Sequence, residues 1–375
     1  MGGAVAAAGG ALVLGALGRI RRSARLRDAL LLGLGVGILA NTRPYEGFIF
    51  CLPCAVYFLL WMVGKLHTRI ELQVRVRRVL LPLIGSMLLL GMFMAYYNWR
   101  LTGNPLLLPR VLNTESHVTA PMFLWQHAKP MLHYRNDQFE KFYNDFERVY
   151  YHTTWDDARR VTLEKFDLLG TLFFWRAEFL LLPFVPFLFR DRQMRLPLAA
   201  ISLGLLSFFA VVWGQPHYAA PLVGALTIVV VQLMRHLNTI AVKGRHIGAM
   251  VLRVMLVILL VQTVGRALSH ECDQFRWRCA GNADRATVDA QLEKVPGKQL
   301  VIVRYSKDHY VHSEWVYNGA EIDSAKILWA RDLGPVQNEK LLAYFKDRHI
   351  WLVQPDEIDP TQLKPFPRSV PQSAP

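Results

Sequence analysis

Asn41–Gly47, which reads Asn-Thr-Arg-Pro-Tyr-Glu-Gly, lies between two apolar runs. The runs, residues 29–40 and 48–64, each have the length of a helix and carry no charged side chain. Pro44 and Gly47 are expected to break the helix, and a proline disfavours the α conformation of the preceding residue, here Arg43. The segment therefore predicts a turn between two membrane helices.

The charged residues of this turn allow two interpretations. Arg43 and Glu46 are costly next to hydrocarbon unless they lie at an aqueous edge or have a partner. The segment is then either a tight extracytoplasmic turn or a polar turn that faces a lipid-linked substrate. A turn that faces a substrate is considered because irregular backbone at membrane depth is tolerated mainly where it lines a cavity or packs in protein.

The composition indicates several membrane spans. Hydrophobic residues make up 53% of the 375-residue chain, and its mean hydropathy is +0.20. We predict a mainly α-helical membrane protein with about eight transmembrane helices. The apolar segments are residues 2–18, 29–40, 48–64, 79–97, 168–189, 196–213, 219–234 and 249–265.

The distribution of charge predicts the topology. The formal net charge is +14, and the basic excess lies in four short loops, residues 19–28, 65–78, 190–195 and 235–253. Basic loops that alternate along a chain mark the cytoplasmic side, so we do not expect a nucleic-acid partner. The segments expected to be extracytoplasmic are residues 41–47, 98–167, 214–218 and 266–375.

Two domains are predicted. Residues 1–265 form a transmembrane domain with a large, partly aromatic loop at 98–167. Residues 266–375 form a small extracytoplasmic α/β domain, because predicted strands alternate with helices, and the pairing is expected to be partly parallel. The predicted strands are Gln299–Tyr305, Ala325–Ala330 and Ile350–Val353, and the predicted helices are Ala283–Val295 and Asn338–Arg348.

The first apolar segment is rich in glycine and alanine and has no basic residue before it. A signal peptide carries its positive charge first. Small residues at this density are typical of a helix packed inside a polytopic protein. Our hypothesis is that the chain is an N-terminally shortened version of a longer protein, although an outward-facing first helix is also allowed.

The four cysteines form two pairs. Cys272 and Cys279 lie in the predicted extracytoplasmic domain, where disulfides persist, and we expect them to bond to each other; free thiols and metal ligation are the alternatives. Cys51 and Cys54 share one face of an apolar helix without the βαβ context of a redox motif. We interpret this second pair as small apolar filling.

No motif in the sequence predicts a metal or a cofactor. His309, His312 and Glu314 have a spacing that could hold a metal, but a solvated loop explains the same residues. The chain has no Asp-x-Asp, Gly-x-Ser-x-Gly, His-Glu-x-x-His or phosphate-binding Gly-rich loop.

Two other polar sites interrupt apolar sequence. Arg176 and Glu178 lie within the fifth predicted span, where they either belong to a functional site or lie near the outer interface. His217 and Tyr218 lie between Pro216 and Pro221, where the chain re-enters the membrane. They are either a helix N-terminus with an aromatic anchor or a donor set for an anionic headgroup.

The chain resembles the polytopic glycosyltransferases that use polyprenyl-phosphate sugars, which include protein O-mannosyltransferases and lipid A aminoarabinose transferases. Three features carry the resemblance: the multi-span layout with a C-terminal outward domain, the turn Thr102–Pro105, and Pro216-x-Tyr218-x-x-Pro221. The aminoarabinose transferases have a Lys-Leu pair before the last element, where this chain has Gly214-Gln215. The segments Arg43–Gly47 and Glu314–Asn318 are similar to an uncharacterised bacterial branch of the group.

The resemblance implies an integral protein of a bacterial inner membrane that transfers a sugar from a polyprenyl-phosphate donor to an extracytoplasmic acceptor. It implies inverting transfer, with a carboxylate in the first outward loop as the base and cationic groups on the leaving phosphate. No acidic residue precedes Asp28, which lies in a basic loop. The expected base is therefore absent, and the chain alone can be inactive.

The resemblance and the turn sequences together give a set of substrate-binding candidates. The cationic and aromatic members are expected to contact lipid phosphate or sugar, and we do not assign Glu46 as the base. The expected partners are membrane lipids and the lipid-linked donor; the alternative functions are a transporter or flippase of a lipid-linked substrate and a non-catalytic membrane assembly protein. The candidates are Arg43, Glu46, Arg100, Arg176, Glu178, His217 and Tyr218.

Overall fold

The chain forms two compact units, which are described separately. The first unit contains Met1–Leu132 and Tyr143–Ala267, and the second contains His133–Phe142 and Leu268–Pro375. The short segment His133–Phe142 therefore belongs with the C-terminal residues rather than with the loop that surrounds it in sequence. This computed structural model describes residues 2–64, 69–134, 137–151, 154–173, 176–269, 283–310 and 313–367.

The first unit is helical. Its helices are α1 (Gly2–Ser23), α2 (Leu26–Thr42), α3 (Pro44–Val63), α4 (Arg69–Arg75), α5 (Leu81–Thr102), α6 (Pro109–His117), α8 (Trp155–Phe173), α9 (Val185–Leu188), α10 (Arg195–Ala210), α11 (Val223–Asn238) and α12 (Ile247–Ser269). A π-helical turn, Val76–Leu80, joins α4 to α5 without a break. The chain also has 3₁₀ turns at Arg176–Phe184, Arg192–Met194, Pro216–Tyr218 and Ala220–Leu222.

Six helical segments among the described residues are long and apolar enough to cross a membrane, which is consistent with an integral membrane protein. Eight spans were predicted; two of them are not among these six segments, and the number of spans stays a prediction. The segment at 29–40 is α2, whose 17 residues rise about 25 Å, less than the hydrocarbon thickness. The six segments are Gly3–Ser23, Pro44–Val63, Ile70–Thr102, Arg192–Ala210, Ala220–Asn238 and Ile247–Gly265.

The predicted span at 168–189 is not one α-helix. Its first residues belong to the end of α8, and Arg176–Phe184 is a 3₁₀ helix that contains Pro183. A second proline, Pro186, follows in the short helix α9. Prolines remove backbone donors and prevent a regular helix from continuing, so the described part of this segment is not one regular α-helix.

The predicted turn between α2 and α3 is present and has its minimum length. α2 ends at Thr42, Arg43 alone is non-helical (φ −144°, ψ 73°), and Pro44 is the first residue of α3. Gly47, expected to break the helix, instead lies inside the first turn of α3. A Cβ atom on Gly47 would lie 2.7 Å from the Leu39 Cβ, so this glycine permits the close approach of the two helices.

Small residues also pack α1 into the helical bundle. A Cβ on Gly9 would lie 2.9 Å from the Ile38 side chain, and a Cβ on Gly35 would lie 2.9 Å from the Gly9 carbonyl oxygen. On another face of α1, a Cβ on Gly10 would lie only 2.1 Å from the Pro221 carbonyl oxygen. The glycine-rich start of the chain is therefore a close-packing helix, as its composition predicts.

Three arginines form ion pairs or hydrogen bonds at the end of the bundle where α1 and α3 finish. Arg19 pairs with the buried Asp28 at 2.8 Å. Arg21 donates to the Tyr57 hydroxyl at 2.8 Å. Arg75 donates to the carbonyl oxygens of Met62 and Gly64, among others, and so caps the last turn of α3. Residues 19–28 and 69–78 thus meet at one end, which we call the basic end.

The second unit contains a four-stranded sheet in the order β2-β1-β3-β4. β1 is parallel to both β2 and β3, with Val301 opposite Trp329 and Trp351, and the short β4 is antiparallel to β3. The sequence prediction of a partly parallel α/β arrangement is confirmed. The elements are α7 (Asp137–Glu140), α13 (Ala283–Leu292), β1 (Lys298–Val303), β2 (Ile327–Arg331), α14 (Pro335–Tyr344), β3 (Arg348–Val353) and β4 (Lys364–Pro365).

Both faces of β1 are buried. Val301 and Val303 pack with Val288 and Leu292 of α13 on one face. Leu300 and Ile302 pack with Phe345 and the α14 side chains on the other. A strand covered on two faces reads as a continuous apolar run, which is why Leu300–Val303 has no polar alternation.

Arg285 of α13 joins the helix to the sheet. Its Nε donates to the Trp315 carbonyl at 2.8 Å, its Nη2 donates to the Tyr317 carbonyl at 3.0 Å, and its Nη1 pairs with Asp289 at 2.7 Å. The guanidinium carbon also lies 3.8 Å from the Tyr317 ring centroid and 4.5 Å from that of Trp329. Only a planar group with several donors can make these contacts together.

We expect Gly10→Ala to destabilise the first unit by about 1–3 kcal/mol, because the new methyl group meets a backbone oxygen that cannot move independently. The matched control is Gly18→Ala in the same helix, where a Cβ meets nothing within 4 Å. The control should be neutral or slightly stabilising. Thermal unfolding of the purified full chain measures both, and equal midpoints for the two variants would contradict the packing assignment.

We expect Arg285→Lys to destabilise the second unit by about 1–3 kcal/mol, because an ammonium leaves buried carbonyl oxygens without donors. The measurement is the rate of limited proteolysis within residues 283–367 of the full chain. Lys340→Arg, at an exposed position of α14, is the control. Unchanged proteolysis in Arg285→Lys would show that the hydrogen bonds contribute little.

Candidate functional site

The structure brings together two predicted site residues that are 175 positions apart in sequence. The Arg43 guanidinium carbon lies 4.2 Å from the centroid of the Tyr218 ring. Among the described residues, no carboxylate oxygen lies within 4.0 Å of its nitrogen atoms. A cation stacked on a ring face is held in place while its edge donors stay available.

Contacts with α1 fix the position of Tyr218. The segment 214–222 forms two 3₁₀ turns, and the Tyr218 N–H donates to the Gln215 carbonyl at 2.9 Å. The neighbouring His217 packs against α1, because a Cβ on Gly3 would lie 3.0 Å from the His217 Cβ. The rings of His217 and Tyr218 are nearly perpendicular, with centroids 4.9 Å apart. His217 therefore supports the ring on which Arg43 rests.

The loop at 98–167 reaches the same end of the bundle. Phe123 forms an isolated bridge with Val211, after the end of α10, and its ring lies 5.6 Å from that of Tyr45 in an edge-to-face arrangement. The Leu124 N–H donates to the Ala210 carbonyl at 3.0 Å. The end of α10, the start of α3 and this loop thus meet; we call this the Arg43 end of the bundle.

A buried carboxyl group extends the cluster. Tyr151 lies edge-to-face against Trp213, with centroids 6.1 Å apart, and the Trp213 indole donates a hydrogen bond to Glu147. The Glu147 Oε2 atom is buried and has no hydrogen-bond partner among the described residues. Burial raises the pKa of Glu147 to about 7, against the lowering effect of the indole. Burial also raises the pKa of Tyr151, with smaller contributions from Glu147 and Tyr218.

Lys165 of α8 is a buried cation next to Gly214. Its Nζ donates to the carbonyl oxygens of Phe208, at 3.0 Å, and Val211, and so caps the end of α10. Its side chain crosses Gly214, where a Cβ would lie 2.7 Å from the Lys165 Cγ. Burial lowers the pKa of Lys165 to about 8.

Lys165 places a positive charge next to Gly214, where the resemblance implies a lysine that the local sequence lacks. The Gly214-Gln215 pair lacks the lysine that the resemblance implies before Pro216, but a lysine from α8 packs against Gly214. The sequence carries no local signal of this contact, because Lys165 and Gly214 are 49 positions apart. The glycine is required for the approach, since any side chain there would displace Lys165.

Glu46 is buried in the first turn of α3. Its exposed fraction is 8%, and its Oε2 atom has no hydrogen-bond partner among the described residues. Glu46 lies three positions from Arg43, but the two side chains form no ion pair within 4.0 Å.

The structure does not connect the other predicted site residues with this cluster. Arg100 is exposed in the last turn of α5 and makes no hydrogen bond or ion pair with a described residue. Arg176 and Glu178 lie in the 3₁₀ helix Arg176–Phe184, and their side chains fall outside the described part of the chain. These three positions stay predictions.

The turn Thr102–Pro105, one of the features of the resemblance, is a helix cap. Gly103 has a φ of +75°, and its N–H donates to the Trp99 carbonyl at 3.0 Å. The Thr102 hydroxyl donates to the Asn98 carbonyl at 2.8 Å, and the buried Asn98 amide donates to the Pro105 carbonyl at 3.1 Å. The segment ends α5 and needs no ligand to explain it.

The Glu314–Asn318 segment also has a structural role. Glu314 accepts hydrogen bonds from the Tyr305 hydroxyl and the Val316 N–H and pairs with Arg331. Asn318 bonds to both the N–H and the carbonyl of Trp329 at 2.8 Å, so its amide covers the edge of β2.

His309, one of the residues whose spacing could hold a metal, is already hydrogen-bonded. His309 pairs with Asp356 at 2.7 Å, and its Nε2 lies 3.0 Å from the Ser313 carbonyl. No group of three or more His, Cys, Asp or Glu residues within the described ranges could hold a metal ion. His312 lies outside the described residues, and so do Cys272 and Cys279 with their expected disulfide. Cys51 and Cys54 are free thiols in α3, and Cys54 is buried in the apolar core.

Comparisons of this chain with protein-family models, with curated protein sequences and with solved structures found no match.

We expect Lys165→Met to lower the stability of the first unit by a pH-dependent amount. The pKa of Lys165 is about 8 in the folded chain and 10.5 as the ordinary value, so the unfolded chain binds more protons between these values. Wild-type stability should therefore rise, relative to the variant, as the pH increases from 8 towards 10.5. Thermal unfolding of both proteins across this range measures the difference, and a constant difference would contradict a desolvated ammonium.

Proposed function

We propose that this chain is a membrane glycosyltransferase that transfers a sugar from a polyprenyl-phosphate donor to an acceptor hydroxyl. The observation that carries the proposal is the Arg43 guanidinium, which is stacked on Tyr218 and has no carboxylate partner among the described residues. On this proposal the Arg43 end faces the extracytoplasmic side, because the basic segments 19–28 and 69–78 lie at the opposite end.

The chemistry of Arg43 fits a phosphate. A guanidinium presents its donors in a planar fork that matches two phosphate oxygens. At the basic end Arg19 already has an anionic partner in Asp28, so it needs no ligand. Arg43 instead stacks on the aromatic face of Tyr218 and has no anionic partner among the described residues. A bound anionic group would neutralise its charge.

An apolar groove next to Arg43 fits the lipid part of the donor. It has a volume of about 700 Å³ and lies between α1, α2 and α5. Its polar end is formed by Asn41 and Thr42, directly before Arg43. A hydrocarbon chain in this groove would bring its phosphate to the guanidinium. The apolar walls include Val5, Leu30, Leu34, Leu89, Leu90 and Phe93.

The proposed reaction is inverting transfer. The acceptor oxygen attacks the anomeric carbon of the sugar, and the bond between this carbon and the phosphate oxygen breaks with its electron pair. Arg43 stabilises the charge that develops on the leaving phosphate, where a fixed donor near low-dielectric surroundings is most effective. Tyr218 and His217 hold the guanidinium in position for this role.

We expect Arg43→Ala to weaken binding of polyprenyl phosphate about tenfold to a hundredfold, because charge-assisted hydrogen bonds contribute about 1.5–3 kcal/mol. The measurement is titration of the purified full chain in detergent with polyprenyl phosphate, followed by native mass spectrometry. Arg22→Ala removes an exposed arginine at the basic end, and it should change the affinity less than about twofold. Equal affinities for Arg43→Ala and Arg22→Ala would contradict the assignment.

A further inference from the structure

We propose that Glu147 is the general base of this transfer and accepts the proton of the acceptor hydroxyl at its Oε2 atom. The inference rests on the proposed function and adds the residue that activates the acceptor. It also bears on the expectation that the chain lacks a catalytic carboxylate, because the expected position was in the first loop and Glu147 lies in the loop at 98–167.

The hydrogen bonds of Glu147 leave one oxygen available. The Trp213 indole donates to the carboxyl group, while Oε2 is buried without a partner among the described residues. A buried acceptor without a donor is uncommon in folded proteins and requires an explanation. A substrate hydroxyl that donates to Oε2 would supply the missing bond.

Tyr151 links Glu147 with the neighbourhood of the phosphate-binding arginine. Tyr151 follows Glu147 by one helical turn, and its N–H donates to the Glu147 carbonyl at 3.0 Å. The Tyr151 ring packs on Trp213, and Glu147 and Tyr218 both contribute to the raised pKa of Tyr151. Tyr218 in turn carries Arg43 on its face. Tyr151 is therefore near both Glu147 and the residue that holds Arg43.

The neighbouring carboxylates are less suited to the role. Asp157 accepts hydrogen bonds from Thr154 and pairs with Arg160. Glu164 accepts from the Tyr150 hydroxyl and also lies 3.5 Å from Arg160. Glu147 differs from both because no cation pairs with it among the described residues.

The proton balance of the step is complete. As the acceptor oxygen bonds to the anomeric carbon, its proton passes to Oε2, and the neutral carboxylic acid remains. The phosphate leaves with the electron pair of the broken bond and is held by Arg43. The proton is then released to water, which restores the carboxylate.

Burial supports this assignment, because it raises the pKa of Glu147 to about 7. A base of this strength takes a proton more readily than an ordinary carboxylate and is still largely ionised just above neutral pH. Glu147 in turn contributes to the raised pKa values of Tyr143 and Tyr151, for which burial is the larger cause. Lys165, whose pKa burial lowers to about 8, is the other group of this neighbourhood that titrates near neutral pH.

The test uses the purified full chain, reconstituted with membranes of the cells that produce it. Whatever the sugar, transfer releases polyprenyl phosphate, which mass spectrometry quantifies. We expect Glu147→Gln to lower this release about a hundredfold or more. Binding of added polyprenyl phosphate and the unfolding temperature should stay close to wild type. Asp145→Asn, at an exposed position of the same turn, is the matched control and should retain release.

Two results separate the base from the function. If wild type neither binds polyprenyl phosphate nor releases it, the proposed function fails and the base assignment fails with it. If wild type releases it and Glu147→Gln does so equally, the proposed function stands and the base assignment is wrong. Binding without release by the wild type would overturn the assignment as well, because no transfer would need a base.

A second variant tests the role without removing the carboxyl group. Trp213→Phe removes a hydrogen bond that lowers the pKa of Glu147, so the pKa should rise. The rate of release should increase with pH through about 7 in wild type, and the midpoint should move to higher pH in the variant. An unchanged midpoint would contradict titration of Glu147 as the controlling step.

Discussion

The structure depends on the free energy of placing a guanidinium at the end of an apolar helical bundle. Arg43 is the single residue between α2 and α3. Because the connection is this short, the charged residue must lie next to the ends of both helices. The face of Tyr218 offsets part of this cost. Tyr218 in turn needs its 3₁₀ turn and the α1 surface. One charge thereby fixes the arrangement of distant parts of the chain.

The charged side chains have partners at the basic end of the bundle, whereas Arg43 and Glu147 at the Arg43 end form no ion pair within the part of the chain that the structure describes. At the basic end Arg19 meets Asp28, and Arg75 caps the carbonyl oxygens of α3. At the Arg43 end, the cation and the carboxyl group of Glu147 are separated by aromatic rings, and no ion pair neutralises them among the described residues. The paired charges of Arg19 and Asp28 do not need a ligand to neutralise them. Arg43 and Glu147 are not paired with each other, so a bound group that interacts with both is favoured.

Local sequence patterns were sufficient where local rules decide the structure. Pro44 and its neighbours predict the turn at Arg43, and the apolar run Leu300–Val303 predicts a buried strand, because backbone sterics and burial act over a few residues. At 168–189 hydropathy gave no sign of the 3₁₀ helix Arg176–Phe184, since it counts apolar side chains and ignores Pro183 within them. Gly47 was also misread, because its role is set by Leu39 of another helix.

The site was predictable only in its local parts. Arg43 and Tyr218 stand out because charge and proline interrupt apolar sequence, but their contact does not follow from that pattern. Glu147 and Lys165 gave no signal, since they lie in a polar loop and at a polar helix surface by composition. They contact Trp213 and Gly214 respectively, and sequence separations of more than 45 positions exceed what periodicity can report.

The approach of Gly10 to the Pro221 carbonyl has a mechanical consequence. Backbone touches backbone there, without a flexible side chain to absorb a displacement. A rotation or slide of α1 would therefore carry the segment 216–222 with it and lift the Tyr218 ring from Arg43. The close contact therefore couples the position of α1 to that of the segment 216–222.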